Sequence, residues 1–307
     1  MQNLFEETRF LMNKYNIKAN KSLGQNFLIK EEVVEQIVES AKIEKEDLVI
    51  EVGPGLGSLT KYLLEKAGKV ICIELDKKMI EILNDRFFLY SNFELLNQDV
   101  LKVDLKELIQ KEKLEGKIKH VKIVANLPYY ITTPIMMKLL EEQLEIESIT
   151  VMIQKEVADR LITVPGEKET GAITYTVYYY AIAQGVIEVQ KDSFIPEPEV
   201  TSKVITLKIR KKPPVQTKNK GMMFKIIKNA FMQRRKTLAN ALVNTKIFTN
   251  KEEAVQALKE IGLDENIRAE KLTLEDFANL SNKLLWYKVE LYIIFEILRK
   301  RPNEPAK

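Results

Sequence analysis

Short apolar runs alternate with amphipathic stretches through the first two thirds of the chain. Leu48–Val52, Val70–Ile73, Phe93–Leu96, Val121–Ala125 and Ile149–Ile153 read as strands. Glu31–Lys42, Leu59–Ala67, Lys77–Phe88 and Pro134–Glu142 carry their apolar residues at helical spacing. This rhythm predicts a parallel, doubly wound α/β sheet covered by helices. Two further β-like runs, Gly185–Gln190 and Lys203–Ile209, follow with no helix between them and predict an antiparallel hairpin closing the sheet edge. The polar, acid-free stretch Lys211–Lys220 contains Pro213 and Pro214 and marks a boundary, dividing the chain into 1–212 and 213–307. Beyond it Met222–Met232, Thr237–Val243, Lys251–Ile261 (preceded by the capping pair Thr249-Asn250) and Leu274–Leu285 predict a small all-helical domain. An apolar extension from about Trp286 reads as a terminal helix, with a partner or membrane-surface role as the alternative.

Composition narrows the chemistry. At 307 residues and 45% hydrophobic, the chain has room for about two domains with buried cores. Its one cysteine, Cys72, excludes a disulfide framework. With a single histidine, His120, there is no His/Cys metal cluster, and a Ser-His-Asp or Cys-His site would have to rest on that one residue. No metal site is expected. The N-terminal residues include Glu6 and Glu7 and lack an apolar h-region, and no long uninterrupted apolar run follows, so a cytoplasmic protein without a membrane span is expected.

The net charge of +4 hides an asymmetry. Between Val200 and Lys251 there are fourteen Lys and Arg and no Asp or Glu, so the rest of the chain is net negative. Such a block suits a polyanion-binding surface, a solvated lysine-rich face being the plainer alternative. The candidate nucleic-acid-binding residues are Lys203, Arg210, Lys211, Lys212, Arg234, Arg235 and Lys236.

At the first strand–helix junction stands Glu51-Val-Gly53-Pro-Gly55-Leu-Gly57-Ser58. Glycines there let backbone N–H groups approach a ligand, or simply make a packing turn. A dinucleotide fingerprint would need its third glycine at 58; here it comes at 57, the spacing of S-adenosylmethionine-dependent methyltransferases. Glu74 ends the second strand, where an acid can accept from ribose hydroxyls, and Asp99 follows the third, placed for an adenine amine. After the fourth strand comes Asn126-Leu127-Pro128-Tyr129. The Asn126 side-chain oxygen and the Leu127 carbonyl can accept the two hydrogens of adenine N6, Pro128 stiffens the turn, and Tyr129 can stack on an extruded base. The alternative is a Pro-terminated strand with a core tyrosine.

Taken together, Ser22-Leu-Gly-Gln-Asn-Phe-Leu28, Glu51–Gly57, Ile73-Glu-Leu-Asp76, Asn126-Leu-Pro-Tyr-Tyr130, Gln154-Lys-Glu-Val-Ala158, Phe194-Ile-Pro-Glu-Pro198 and Phe231-Met-Gln-Arg-Arg-Lys-Thr-Leu238 resemble the ribosomal RNA adenine N6,N6-dimethyltransferases, most closely the bacterial type acting on 16S rRNA. The resemblance runs from about Lys18 to Leu285. It implies a Rossmann-like S-adenosylmethionine-dependent methyltransferase domain followed by a helical RNA-binding domain. By the resemblance Asn26, Leu28, Glu51, Gly53, Gly55, Glu74, Asp99 and Asn126 belong to the cofactor site. Asn126 with Leu127, Pro128 and Tyr129 would be the catalytic group, and Tyr129 and Phe194 would sandwich the base. The implied substrate is a pair of adjacent adenosines in the 3'-terminal hairpin loop of 16S rRNA, within a 30S subunit or precursor, modified by a monomer. Glu199, where the family usually has lysine, and Thr170-Gly-Ala-Ile-Thr-Tyr175 depart from the pattern. The alternatives are 23S rRNA dimethylation of the macrolide-resistance type, a non-catalytic ribosome-assembly factor and a nicotinamide oxidoreductase.

Overall fold

A computed structural model describes residues 3–19, 24–116 and 118–284. Ser22 and Leu23 of the first motif, and the extension from Trp286, lie outside the described residues. The chain divides into two compact units. The first takes the described residues up to Ile162 together with Tyr180–Lys211; the second takes Thr163–Tyr179 together with the described residues from Lys212 onward. The change of unit after Lys211 lies beside the division read from the polar stretch. The segment Thr163–Tyr179, which that reading left in the first domain, packs within the second unit.

In the first unit α1 (Leu4–Lys14) precedes the two-residue β1 (Phe27–Leu28) and α2 (Glu31–Ala41). The alternating series follows: β2 (Asp47–Val52), α3 (Thr60–Lys66), β3 (Lys69–Glu74), α4 (Lys77–Phe87), β4 (Phe93–Asn97), α5 (Leu105–Glu115), β5 (His120–Asn126), α6 (Thr132–Glu141), β6 (Ser148–Gln154) and α7 (Lys155–Ile162). Then come β7 (Ala181–Val189), β8 (Phe194–Ile195) and β9 (Ser202–Ile209). The seven-stranded sheet has the order β4-β3-β2-β5-β6-β9-β7. Strands β2 to β6 pair in parallel. Both ladders of β9 are antiparallel, and the β7–β9 ladder carries a bulge between Gly185 and Ile187. The hairpin expected at the edge is therefore present, with β9 as its inner strand. Every residue of β2 is buried, as helices on both faces require.

Helix α2 turns Val33, Val34, Ile37, Val38 and Ala41 inward at i, i+4 spacing. Asp76 caps α4 by accepting from the Lys78 N–H. At the opposite edge from the strand C-termini, the buried Lys122 ammonium lies 2.7 Å from the buried Asp47 carboxylate.

The second unit is helical: α8 (Ala172–Tyr180, all but its last residue), α9 (Lys220–Met232), α10 (Leu238–Asn244), α11 (Lys251–Glu260) and α12 over 274–284. Helix α8 is rich in Thr, Tyr and Val, residues that favour strands, yet Tyr175 is fully buried and fixes it as a helix. The Tyr175 hydroxyl donates to the Leu272 carbonyl at 2.7 Å, and the ring meets Phe231 and Phe277. Thr237 and Asn250 cap α10 and α11. No helix among the described residues is long and apolar enough to cross a membrane.

Candidate active site

The C-terminal ends of β2, β3, β4 and β5 open onto one cleft enclosing about 1090 Å³ and open to solvent. All eight expected cofactor residues line it, and so do Leu127, Pro128 and Tyr129. Its described walls carry three carboxyl groups, those of Glu51, Glu74 and Asp99, and no Lys, Arg or His. That charge pattern suits a cationic ligand such as a sulfonium and opposes a pyrophosphate. S-adenosylmethionine fits this donor set, and a nicotinamide dinucleotide does not.

The glycine loop is shaped by backbone that only glycine adopts readily. Gly55 and Gly57 have φ of 57° and 81°. A Cβ at 57 would lie 2.6 Å from the Phe87 ring, so α4 packs where a side chain would have to go. On the neighbouring strand Glu74 is turned back on its own chain. Its Oε1 accepts from the Leu75 and Asp76 N–H groups at 2.8 Å, and its Oε2 from the Gly55 N–H at 3.3 Å. Burial pushes its carboxyl above the usual carboxylate range, against those three hydrogen bonds. Asp99 accepts from the Leu101 N–H at 3.0 Å with Oδ1.

Glu51 lies beneath the loop, with Oε2 accepting from the Thr60 hydroxyl at 2.7 Å and the Cys72 thiol at 3.3 Å. Burial, aided by Glu74, raises its carboxyl to about 7 although both hydrogen bonds oppose this. The unfolded chain gives up this proton near 4.5, so between 4.5 and about 7 it binds fewer protons than the folded chain. Stability therefore falls as pH rises through that window, by about 3 kcal/mol in all. Glu51→Gln removes that slope. Urea unfolding at pH 5 and pH 8 is expected to show the wild type losing about 2–3 kcal/mol relative to the variant. Equal differences at both pH values would mean that Glu51 stays ionised throughout.

The remaining wall comes from residues 24–28 and from the turn after β5. Gln25 Nε2 donates to Asp76 Oδ2 at 2.8 Å, tying that segment to the cap of α4, and Asn26 Nδ2 donates to the Gly24 carbonyl at 3.2 Å. Asn126 Nδ2 donates to the Asn26 carbonyl at 3.4 Å, which leaves its Oδ1 as the accepting end. The Pro128 carbonyl accepts from the Thr132 hydroxyl at 3.0 Å and from the Ile131 N–H, fixing the turn. The Tyr129 hydroxyl is 2.6 Å from Ser202 Oγ on β9, and burial pushes its pKa above the usual tyrosine value although that hydrogen bond opposes the shift.

One expectation needs correction. Phe194 is 1% exposed and sits in the core, because the β1–β8 ladder sets it opposite Leu28; it does not line the cleft. Besides Tyr129, the aromatic rings that line the cleft are those of the buried Phe27 and of Tyr130, the latter 57% exposed and lying over Gly24. Only the repeat of Tyr after Asn126-Leu-Pro-Tyr129 hinted at Tyr130. The candidate RNA contacts also divide. Lys203 is paired with Asp159 at 2.7 Å, Arg210 Nε donates to the Ala181 carbonyl at 3.1 Å, and Arg234 donates to the Thr170 carbonyl at 3.2 Å. Lys211, Lys212, Arg234, Arg235 and Lys236 are exposed. Cys72 is buried in β3, and His120, at the start of β5, meets Glu147 at 3.0 Å. The described residues hold no group of His, Cys, Asp and Glu fit for a metal ion.

An open parallel sheet with this acidic cleft at its carboxyl edge defines an S-adenosylmethionine-dependent methyltransferase. A model of the ribosomal RNA adenine dimethylase family matches residues 16–285, and the chain belongs to that family. It is 46% identical over 278 residues to the ribosomal RNA small subunit methyltransferase A of Alkaliphilus metalliredigens, covering 91% of this chain and 96% of that protein. It is 48% identical to the protein of the same name from Clostridioides difficile, covering 90% and 94%. Among solved structures it is similar to a dimethyladenosine transferase from Plasmodium falciparum, with TM-score 0.68, 25% identity, and 86% and 98% of the two chains covered. A 23S rRNA methyltransferase, ErmE, shares the fold at TM-score 0.63 and 22% identity over 84% of this chain and 99% of that one.

Proposed function

We propose that this protein places two methyl groups on N6 of each of two adjacent adenosines in the 3'-terminal hairpin loop of 16S rRNA. It acts as a cytoplasmic monomer on the 30S subunit or its precursor. The observation that carries this reading is the convergence of the Asn126–Tyr129 turn with the carboxylates of Glu51, Glu74 and Asp99 in one cleft. Relatives named for the small subunit, matched over nine tenths of the chain, support 16S over 23S rRNA; the likeness to the 23S enzyme carries the fold alone.

When bound, S-adenosylmethionine supplies a methyl group on a sulfonium, an already activated leaving group. Glu74 would hold the ribose, Asp99 the adenine, the Gly53 and Gly55 backbone the centre of the molecule, and Asn26 and Leu28 its methionine end. The protein's task at the acceptor is to ready a poor nucleophile, since the N6 lone pair is delocalised into the ring. Asn126 Oδ1 and the Leu127 carbonyl accept the amine hydrogens and favour a tetrahedral nitrogen. After one methylation a single hydrogen remains, so one of these acceptors suffices for the second. Tyr129 stacks on the extruded base, whose unstacking costs about a few kcal/mol, less in a loop than in a duplex. The exposed Lys211 and Lys212, and separately Arg235 and Lys236, hold phosphates.

The test offers purified protein methyl-labelled S-adenosylmethionine with immature 30S and with 50S particles, then digests the RNA for mass spectrometry. N6,N6-dimethyladenosine is expected from 30S RNA alone. Product confined to 50S would move the substrate to 23S rRNA, and labelling of neither would remove the enzymatic reading.

A further inference from the structure

The glycine loop is braced from behind, and part of the brace lies outside the region that matches the family, which begins at residue 16. Leu56 stands between the two positive-φ glycines and is buried. Its carbonyl accepts from Arg86 Nη1 on α4. A buried carbonyl without a partner is costly, so this bond fixes how the Leu56 peptide is turned. The Arg86 side chain is only 11% exposed, and its other nitrogen, Nη2, reaches Glu7 on α1. Burial works against the charge of Arg86 and Glu7 works for it. Glu7 also lies 3.8 Å from Lys61 in the first turn of α3.

Helix α1 is held where Glu7 can do this. Lys14 pairs with Asp85 at 2.9 Å, the Tyr15 hydroxyl also meets Asp85, and Lys78 Nζ donates to the Asn16 carbonyl at 3.1 Å. Leu4 belongs to the same buried cluster as Leu56, Leu59 and Phe87. One chain of contacts thus runs from α1 through Glu7 and Arg86 to the peptide at the centre of the loop.

We propose that α1 is a positioning element for the cofactor loop: Glu7 holds Arg86, and Arg86 fixes the Leu56 peptide so that the Gly53–Gly57 backbone is set before S-adenosylmethionine arrives. The inference rests on reading the cleft as the S-adenosylmethionine site. Pre-setting a binding loop strengthens binding by removing the cost of ordering it. Glu7 touches neither substrate, so its loss acts on cofactor affinity and leaves the chemical step alone.

Calorimetric titration with S-adenosylmethionine is expected to give Glu7→Ala a Kd raised roughly five- to twentyfold, the range of one lost charge-assisted hydrogen bond. At saturating cofactor its kcat, and its KM for RNA, stay within about twofold of the wild type. Hydrogen exchange at the amides of residues 55–57 becomes faster. Arg86→Met weakens binding at least as much, and adding Glu7→Ala to it weakens binding no further, because Glu7 acts through Arg86. A Glu7→Ala protein that binds S-adenosylmethionine like the wild type, whatever its Tm, overturns the proposal. Should Arg86→Met not fold, the Glu7→Ala affinity and exchange rates still decide. A wild type that binds no S-adenosylmethionine overturns the reading of the cleft itself, and the brace with it.

Discussion

Replacing Asn126 with alanine is expected to lower kcat by roughly a hundred- to thousandfold, the usual cost of removing a group aimed at the reacting atom. Affinity for RNA should stay nearly unchanged. Asn126 ends β5 inside the cleft, and its Nδ2 is committed to the Asn26 carbonyl at 3.4 Å, so the side chain offers the acceptor that an adenine amine needs. That one long hydrogen bond is a small structural loss, while the lost acceptor bears directly on N6. Single-turnover methylation and filter binding on the same preparation separate the two effects. A parallel loss of RNA binding would make Asn126 a structural residue of the turn.

The second large effect concerns stability. Lys122 and Asp47 are buried together on adjacent strands at 2.7 Å, and Lys122 also donates to the Lys42 carbonyl. Asp47 Oδ2 accepts from the Glu44 N–H at 2.8 Å, while Oδ1 has no hydrogen-bond partner. Lys122→Met strands the carboxylate in the sheet without its cation and is expected to cost about 3–5 kcal/mol in denaturant unfolding. Adding Asp47→Asn should recover most of that loss, because an amide is far cheaper to bury than an unpaired charge. A loss below about 1 kcal/mol for Lys122→Met would show that water reaches Asp47.

The central strands were legible because a strand covered on both faces is mostly apolar, as Leu48–Val52 and Val121–Ala125 are apart from Glu51 and Lys122. Neither run betrayed the ion pair, since Asp47 and Lys122 are far apart in the chain and meet only where β2 and β5 lie side by side. The two-residue β1 and β8 carry no periodicity and exist through pairing with each other. That pairing buries Phe194, whose motif position alone suggested a base platform. Helix α8 was hidden by its Thr, Tyr and Val content, and its helical state follows from the burial of Tyr175.

The site followed the same division. Glycine spacing and acids at strand ends identified the cleft, because backbone turns and sheet edges are set by local sequence. The partners that fix those groups, Thr60 and Cys72 for Glu51, Ser202 for Tyr129, and Arg86 for Leu56, come from distant segments and left no local signal. Counting charge likewise gave no sign that Lys203, Arg210 and Arg234 each make a bond within the protein.

The central claim is that this cleft dimethylates paired adenosines in one loop of small-subunit RNA. Its most direct test is the mass of the nuclease fragment carrying the 3'-terminal hairpin, taken from immature 30S particles after incubation with protein and S-adenosylmethionine. Two methyl groups on each of two adjacent adenosines are the expected result. A fragment of unchanged mass, with methylation elsewhere in the RNA, would contradict it.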